Sequence, residues 1–375
     1  MVSMMRALQD RIEKDLQKKM VFLTGPRQVG KTTLAKAIAG NRPDTVYCNY
    51  DDFDHREIIR QRSWLRSTRL LILDELHKMA GWKNYLKGLY DTKPEHLQIL
   101  VTGSARLETF RTHGDSLAGR FFRHRLHPFS MAEVPDADEH TLDRLLERGG
   151  FPEPFLANSL MDADRWRLQY TDGLIRTDIL DFERVHHLRA VQDTMALLQR
   201  RIGSVLSYAS LARDVGVSPN TIKRYINIFE ALFIIFRVTP YYRNIARTLR
   251  KDSKAYFYDT GMVIGNPGAR FENLVAVELK KHLDAVEDTQ GKRTTLQFLR
   301  TKEKKEVDFV LTINGEPQVL VEAKLSQSNI HRDLLYFNKQ TGLAAVQVVK
   351  NLGLESVEKG VEIRRAEPYL RRLFV

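Results

Sequence analysis

The sequence predicts an α/β chain: a parallel sheet covered by helices on both faces, then a helical stretch, and last a second, smaller α/β unit. Three observations predict it. Between residues 19 and 129, short apolar runs alternate with longer amphipathic segments, the pattern of strands buried on both faces and joined by helices. Between 130 and 201 the strand signal fades and apolar residues recur at spacings of three and four. Beyond 252, strand-like runs return beside a helical one.

The elements follow in order. Residues 1–19 read as an amphipathic helix without the apolar core of a secretory signal. Apolar runs at 20–24, 46–49, 70–74 and 98–102 are each bounded by Gly, Asp or Thr and read as strands. Leu142, Leu145 and Leu146, and then Leu174, Ile175, Ile179 and Leu180, have helical spacing, and Gly149-Gly150-Phe151-Pro152 breaks the stretch as a turn between helices. A compact helical unit spans 203–240, with 225–236 read as a buried helix. Past 252 come a helix around 272–283 and strands at 296–299, 307–313, 319–322 and 345–349. The expected domains are 1–130, 131–201, 202–255 and 256–375.

Composition excludes several classes. With 43% hydrophobic and 28% charged residues the chain is composed to fold, so general disorder is excluded. No segment approaches the roughly 18 consecutive apolar residues of a spanning helix, and no membrane role is expected. A single cysteine, Cys48, excludes an intramolecular disulfide and a multi-cysteine zinc site, which points to a reducing cytoplasm. Lys and Arg total 59 against 47 Asp and Glu, a formal charge of +12. That surplus suits a nucleic-acid partner, although many soluble proteins are mildly basic.

The most specific signal is Gly25-Pro26-Arg27-Gln28-Val29-Gly30-Lys31-Thr32, which satisfies G-x-x-x-x-G-K-S/T after an apolar strand and before a helix beginning near Lys31. The glycines let the backbone curl so that successive N–H groups point at phosphate oxygens, and the helix N-terminus adds its positive dipole end. Lys31 would reach the β- and γ-phosphates, and the Thr32 hydroxyl would ligate Mg²⁺. Expected cofactor contacts are Gly25, Pro26, Arg27, Gln28, Val29, Gly30, Lys31, Thr32, Thr33 and Ser104.

A second strand, Leu70-Leu71-Ile72-Leu73-Asp74-Glu75, delivers two carboxylates at its C-terminal end, where ligands of open α/β sheets bind. Asp74 would hold the Mg²⁺ shell, and Glu75 would polarise an attacking water, which implies hydrolysis. A third strand ends in Thr102-Gly103-Ser104. Either Thr102 or Ser104 can stand between the carboxylates and the γ-phosphate, or the segment is a plain strand-to-turn. Arg106, Arg111 and Arg120 follow. Two readings stay open for Arg120, the preferred one of the three: an arginine finger toward a neighbouring subunit, or a surface arginine in a salt bridge.

These residues resemble AAA+-type ATPases, in particular a prokaryotic group whose P-loop domain is fused to a C-terminal domain of unassigned function. The motifs are Leu23-Thr24 with the loop through Thr33, Leu73-Asp74-Glu75, Val101-Thr102-Gly103-Ser104 and Ser116-Leu117-Ala118-Gly119-Arg120, then Gly149-Gly150-Phe151-Pro152 and Tyr256-Phe257-Tyr258-Asp259-Thr260-Gly261. The resemblance covers nearly the whole chain. It implies a ring-forming or otherwise oligomeric, Mg-dependent ATPase, with ATP favoured over GTP.

From Ser207 to Tyr225 the chain reads as helix, glycine turn, helix. Leu211, Ala212, Val215 and Val217 face inward, Ser218 is an N-cap, and Pro219 stands at the first helical position. Asn220, Thr221, Lys223 and Arg224 then face outward as a recognition helix does in a major groove. The segment resembles a winged helix-turn-helix, with 225–236 and 237–240 as third helix and wing; a three-helix module for protein contacts is the other reading. Cations and aromatics in 241–251 suit phosphates and stacked bases, DNA more than RNA.

In the last unit, Glu306-Val307-Asp308-Phe309-Val310 and Val319-Leu320-Val321-Glu322-Ala323-Lys324 flank a turn at Gly315. A hairpin sets Asp308 beside Glu322, and the two-residue period of strands puts Glu322 and Lys324 on one face. Two carboxylates sharing Mg²⁺ with a lysine near the water make a workable phosphodiester-hydrolysis site. The pattern resembles the PD-(D/E)xK, restriction-endonuclease-like fold, with Val307 where that pattern has Pro and with Glu272 as the extra acid. An inactive scaffold is equally open, and Lys292, Arg293, Arg300, Lys302, Lys304 and Lys305 suit a phosphate backbone or a solvated hairpin. The leading expectation is an ATP-driven motor or switch on nucleic acid; the alternative is a regulatory ATPase whose C-terminal half binds a protein partner.

Overall fold

Each strand of the first unit is short, and most are apolar on both faces, so they stack side by side in a sheet that helices must cover. The computed structural model describes residues 6–40, 42–103, 117–179, 187–241, 253–327 and 329–374. Two units are resolved, Met1–His127 and Pro128–Val375. In the first, the elements are α1 (Gln9–Leu16), β1 (Met20–Thr24), α2 (Lys31–Ala39), β2 (Thr45–Asn49), α3 (Phe53–Gln61), β3 (Leu70–Asp74), α4 (Trp82–Thr92), β4 (Gln98–Thr102) and β5 (Phe121–Arg125).

The strands are all parallel in the order β2-β3-β4-β1-β5. Inner strands β1 and β3 are buried at every residue, while the edges β2 and β5 are mostly half-buried. Phe22, Leu71, Leu73, Ile99 and Val101 pack against Trp82, Leu86 and Leu89 on one face. Strand β5 has no counterpart among the expected runs because its Phe121-Phe122-Arg123-His124-Arg125 carries the polar residues of an edge. With every strand parallel, Thr24, Asp74 and Thr102 finish at the same end of the sheet.

The second unit begins with α5 (Glu139–Arg148), α6 (Pro152–Leu156), α7 (Leu160–Gly173), a π-helical turn Leu174–Ile179, and α8 (Leu188–Gln199). Next come α9 (Tyr208–Val215), α10 (Pro219–Ala231), β6 (Ile235–Pro240), β7 (Lys254–Phe257) and α11 (Pro267–Gln290). Last are β8 (Thr294–Arg300), β9 (Glu306–Ile313), β10 (Glu316–Lys324), α12 (Arg332–Thr341), β11 (Ala344–Val349), β12 (Ser356–Glu358), β13 (Val361–Arg365) and α13 (Ala366–Arg371). Eight strands form one sheet in the order β12-β13-β11-β10-β9-β8-β6-β7. Asn314 and Gly315, both at positive φ, make the tight turn of the β9–β10 hairpin. Val307, Val310, Leu320, Leu334, Phe337, Ala345 and Val361 form a core between sheet and α12.

Two expectations change here. The helix expected over 225–236 stops at Ala231, and Ile235 opens β6. Phe233 takes φ +56° and the Ile234 N–H reaches back to the Phe229 carbonyl at 2.9 Å, a helix stop of the Schellman kind without the glycine that would signal it. Residues 237–240, expected as a wing, are part of β6, which pairs with β7 and β8 in the eight-stranded sheet.

The two motifs without a chemical reading form a buried lock. Arg167 on α7 donates to Asp259 at 3.0 Å and to the Arg148 carbonyl at 2.9 Å, while Asp259 also accepts from the Gly261 N–H at 3.1 Å. A Cβ at Gly149 would collide with the Asp259 carboxylate, and one at Gly261 with the Arg167 guanidinium. Those glycines admit the ion pair. Among the described residues, no helix is long and apolar enough to cross a membrane.

Candidate nucleotide site and a buried carboxylate cluster

The phosphate loop leaves β1 and wraps the start of α2. Gly25 (φ +147°) lies where a Cβ would strike the Leu126 carbonyl, and the Leu126 N–H bonds to Thr24 O at 2.8 Å. Gly30 (φ +98°) and Gln28 (φ +60°) supply the curl before Lys31 opens the helix. Lys31 is buried, and its ammonium donates to the carbonyls of Gly25 (3.1 Å) and Pro26 (2.6 Å), spanning the loop from inside. Val29 is buried and accepts at its carbonyl from Arg6 at 3.4 Å, whereas Arg27, Gln28 and Thr33 are exposed.

Asp74 gathers three hydroxyl donors. Thr32 Oγ1 and Tyr47 Oη each lie 2.7 Å from its Oδ2, and Thr102 Oγ1 bonds to Oδ1. The Thr102 contact exists because β4 lies between β1 and β3, with Thr102 paired beside Asp74. Glu75 leaves the strand at φ +56°, its Oε2 3.6 Å from His77 Nε2 and 3.8 Å from the Lys78 ammonium. Burial pushes the Glu75 carboxyl above the usual carboxylate range, against the opposing pull of Lys31 and Lys78. Burial, with Asp74 alongside, likewise pushes the Tyr47 hydroxyl up, so it stays protonated as a donor.

This donor set fits a nucleotide and its magnesium. The loop curls through Gln28 and Gly30 at positive φ into the start of α2, and Thr32 and Asp74, the two expected metal-holding residues, are already in contact. Ser104, Arg106 and Arg111 lie outside the described residues. Arg120 precedes β5, whose Phe121 pairs with Met20 at the start of β1, so it lies at the end of the sheet opposite the loop. Its guanidinium grips Asp91 of α4 at 2.8 and 3.0 Å.

In the second unit the hairpin sets Asp308 beside Glu322: the Asp308 N–H donates to Glu322 at 3.2 Å and the Ala323 N–H donates to Asp308 at 3.0 Å. Lys324 bonds Glu322 at 2.6 Å, and His331 Nδ1 lies 3.1 Å from the same carboxylate. Glu272, from α11, accepts from the Tyr256 hydroxyl at 2.6 Å. The sequence reading did not foresee Lys254. Its ammonium lies 2.6 Å from Glu306, 3.4 Å from Glu272 and 4.0 Å from Asp308. Burial, followed by Glu322, pushes Asp308 up to about 6. Burial opposes the charge of Lys254, yet Glu272, Asp308 and Glu306 hold its ammonium above the usual lysine range. Among the described residues, no group of three or more His, Cys, Asp or Glu is arranged to hold a metal ion.

The basic segments divide. In α10, capped by Ser218 accepting from the Thr221 N–H at 3.1 Å, Asn220, Lys223, Arg224 and Asn227 are exposed. Val215 and Val217 are only half-buried. Lys292, Arg293, Lys302 and Lys304 are exposed, Arg300 pairs with Glu306 at 3.4 Å, and Lys305 lies 3.6 Å over the Tyr336 ring. Of the stretch around 241–254, residues 242–252 lie outside the described residues, and Lys254 is 1% exposed and paired, so it does not serve a phosphate backbone. Tyr47 and Lys254 were not foreseen as site residues, and Tyr256 and Glu306 stood in quoted motifs without a role; for Lys254 and Tyr256 the alternation Lys254-Ala255-Tyr256-Phe257, which sets two polar groups on one strand face, was the available signal.

Residues 17–135 match the family model described as AAA domain, residues 139–266 a domain of unknown function (DUF8612), and residues 267–367 another domain of unknown function (DUF4143). An uncharacterized protein of Mycobacterium tuberculosis is 27% identical over 330 residues, covering 84% of this chain and 72% of that protein. One of Haemophilus influenzae is 22% identical over 323 residues, covering 75% and 79%. Among solved structures, the chain is similar to a Walker-type ATPase of Pyrococcus abyssi at 17% identity and TM-score 0.46, covering 69% of this chain and 95% of that one. The chain thus joins a P-loop ATPase domain to C-terminal domains of unknown function.

Proposed function

We propose that the chain is a Mg-dependent, AAA+-type ATPase that uses hydrolysis to switch or move a C-terminal half bound to nucleic acid, DNA before RNA, in the cytoplasm. The observation that carries the reading is the contact between Thr32 of the phosphate loop and Asp74 at the end of β3. Loop N–H groups and the start of α2 hold the phosphates, and Lys31 turns from the loop carbonyls to the β- and γ-oxygens. Thr32 and Asp74 would hold magnesium, which supplies charge neutralisation at the transferring phosphoryl group. Glu75 orients and deprotonates water; its raised affinity for a proton makes it a better base than an ordinary carboxylate. Arg120 serves a neighbouring copy in a homo-oligomer, a ring being one such assembly, because it stands at the far end of its own sheet and its guanidinium is held by the exposed Asp91 and the Ala118 carbonyl.

The nucleic-acid reading rests on the exposed Lys223 and Arg224 of the helix-turn-helix-like pair and on the basic β8–β9 turn of a nuclease-like module. The reading with a protein partner is favoured by one observation, the exposed Leu160, Met161 and Leu168 along α7. One experiment separates them. Lys31→Ala should abolish ATP hydrolysis under either reading. Salt-sensitive DNA binding that is lost in Lys223→Ala/Arg224→Ala supports the first; no binding of DNA or RNA at low salt, with hydrolysis intact, leaves the second.

A further inference from the structure

Two of the carboxylates read from sequence as a metal seat, Asp308 and Glu272, already face a cation. Lys254 enters from β7, is 1% exposed, and brings its ammonium to Glu306 at 2.6 Å, Glu272 at 3.4 Å and Asp308 at 4.0 Å. Its backbone is fixed on both sides, bridged to Val205 and paired with Val238 of β6. Several oxygens of the cluster also take other donors. Asp308 takes the Ala323 N–H, Glu272 takes the Tyr256 hydroxyl, and Glu322 takes Lys324 and the Asp308 N–H.

Four carboxylates, Glu272, Glu306, Asp308 and Glu322, thus face three cations, Lys254, Lys324 and Arg300. Magnesium demands near-octahedral oxygen ligands at about 2.0–2.1 Å and keeps several of its waters. A dication bridging Glu272 and Asp308 would meet the Lys254 ammonium in the same space. The residues of this cluster therefore do not fit the metal that the nuclease-like pattern implies.

We infer that the Lys254 ammonium is the resident cation of this cluster, held by its own strand where a divalent metal would have to sit, so that the C-terminal module takes up no such metal while Lys254 is present. The inference deepens the nuclease-like reading of the module and rests on it. It makes the module a surface that holds a phosphate backbone without metal-dependent cutting. Lysine suits the place because its charge is compact and its stem lies in apolar surroundings, the ammonium 5.4 Å from the Phe298 ring centre.

The test is a titration of the full-length protein with Mn²⁺ alone, without nucleotide, reading free Mn²⁺ by its spin resonance. Any uptake by the phosphate-loop unit is common to every variant and cancels. Wild type and Asp308→Asn should titrate alike. Lys254→Ala, or Lys254→Met where the stem is needed for folding, should bind about one Mn²⁺ more per chain, at least tenfold tighter than any such site in wild type, and Asp308→Asn should remove it again. Wild type binding more Mn²⁺ than Asp308→Asn overturns the inference even if neither lysine variant folds, and so does a folded Lys254 variant with no added site. Salt-sensitive DNA binding measured on the same proteins keeps the readings apart: its absence defeats the nucleic-acid reading without touching the Mn²⁺ result.

Discussion

Tyr47 at the edge strand β2 donates a 2.7 Å hydrogen bond to Asp74 Oδ2, the oxygen that also accepts from Thr32. The tyrosine hydroxyl is committed to that carboxylate, so it acts by aiming it. Tyr47→Phe keeps the ring, which Lys36 covers at 5.1 Å, and removes only the donor. The Mg²⁺ concentration for half-maximal hydrolysis should rise several-fold, about 1 kcal/mol of lost hydrogen bonding, with ATP affinity unchanged. An unaltered Mg²⁺ dependence would refute the aiming role.

Glu75 should separate binding from chemistry. Glu75→Gln keeps the shape of the side chain but cannot take a proton, so kcat should drop by roughly 10²–10⁴ while nucleotide affinity stays within a few-fold. Rapid turnover by this variant, within tenfold of wild type, would move the base elsewhere.

Arg120 offers a complementation test. The exposed pair with Asp91 is screened by solvent and adds little to stability, so Arg120→Ala should unfold near the wild-type temperature. Hydrolysis should nevertheless fall by about 10³ or more if the guanidinium serves a neighbour. Mixing it with Lys31→Ala should restore part of the rate, since each copy supplies what the other lacks. Two inert variants that stay inert together would argue against a finger in trans.

The Arg167–Asp259 lock sets stability of the second unit. Arg167→Ala leaves a buried carboxylate without its charge partner and should cost roughly 3–5 kcal/mol. Gly149→Ala must push a methyl group into Asp259 at φ +74° and should cost about 2–4 kcal/mol. Denaturant unfolding would measure both, and changes below about 1 kcal/mol would show that the pair is dispensable.

Glu278 gives the second unit a pH signature. It accepts the Met131 N–H at 3.0 Å, and burial pushes its carboxyl up to about 8, against the pull of that N–H and of Lys281. The unfolded chain releases this proton near the ordinary glutamate value, so between those limits the native state holds more protons and stability falls as pH rises. Glu278→Gln removes the slope. Its melting temperature should gain on wild type by several degrees, on the order of 5 °C, between pH 5 and 8. A gap that stays constant with pH would contradict the assignment.

Much of the first site was legible because its parts are contiguous. Gly25 through Thr32 carries loop, lysine and hydroxyl in one stretch, and Leu70 through Glu75 carries strand and carboxylates in another. The pairing of Asp308 with Glu322 was legible too, since a tight hairpin converts sequence spacing into register. Strand β5 and the helix stop at Phe233 were not, because an edge strand tolerates polar residues and a helix can end without glycine.

By itself, then, the sequence determined which local segments bury their faces and which of them bend around a phosphate, because periodicity and glycine placement act over a few residues. Tertiary structure alone decided that β4 enters between β1 and β3 to bring Thr102 to Asp74, and that β7 carries Lys254 into a cluster assembled from α11, β9 and β10. Those choices depend on strand order, which is set by the packing of chemically similar apolar faces far apart in the chain. The same reason turned a basic residue counted toward the chain's surface charge into the buried partner of its carboxylates.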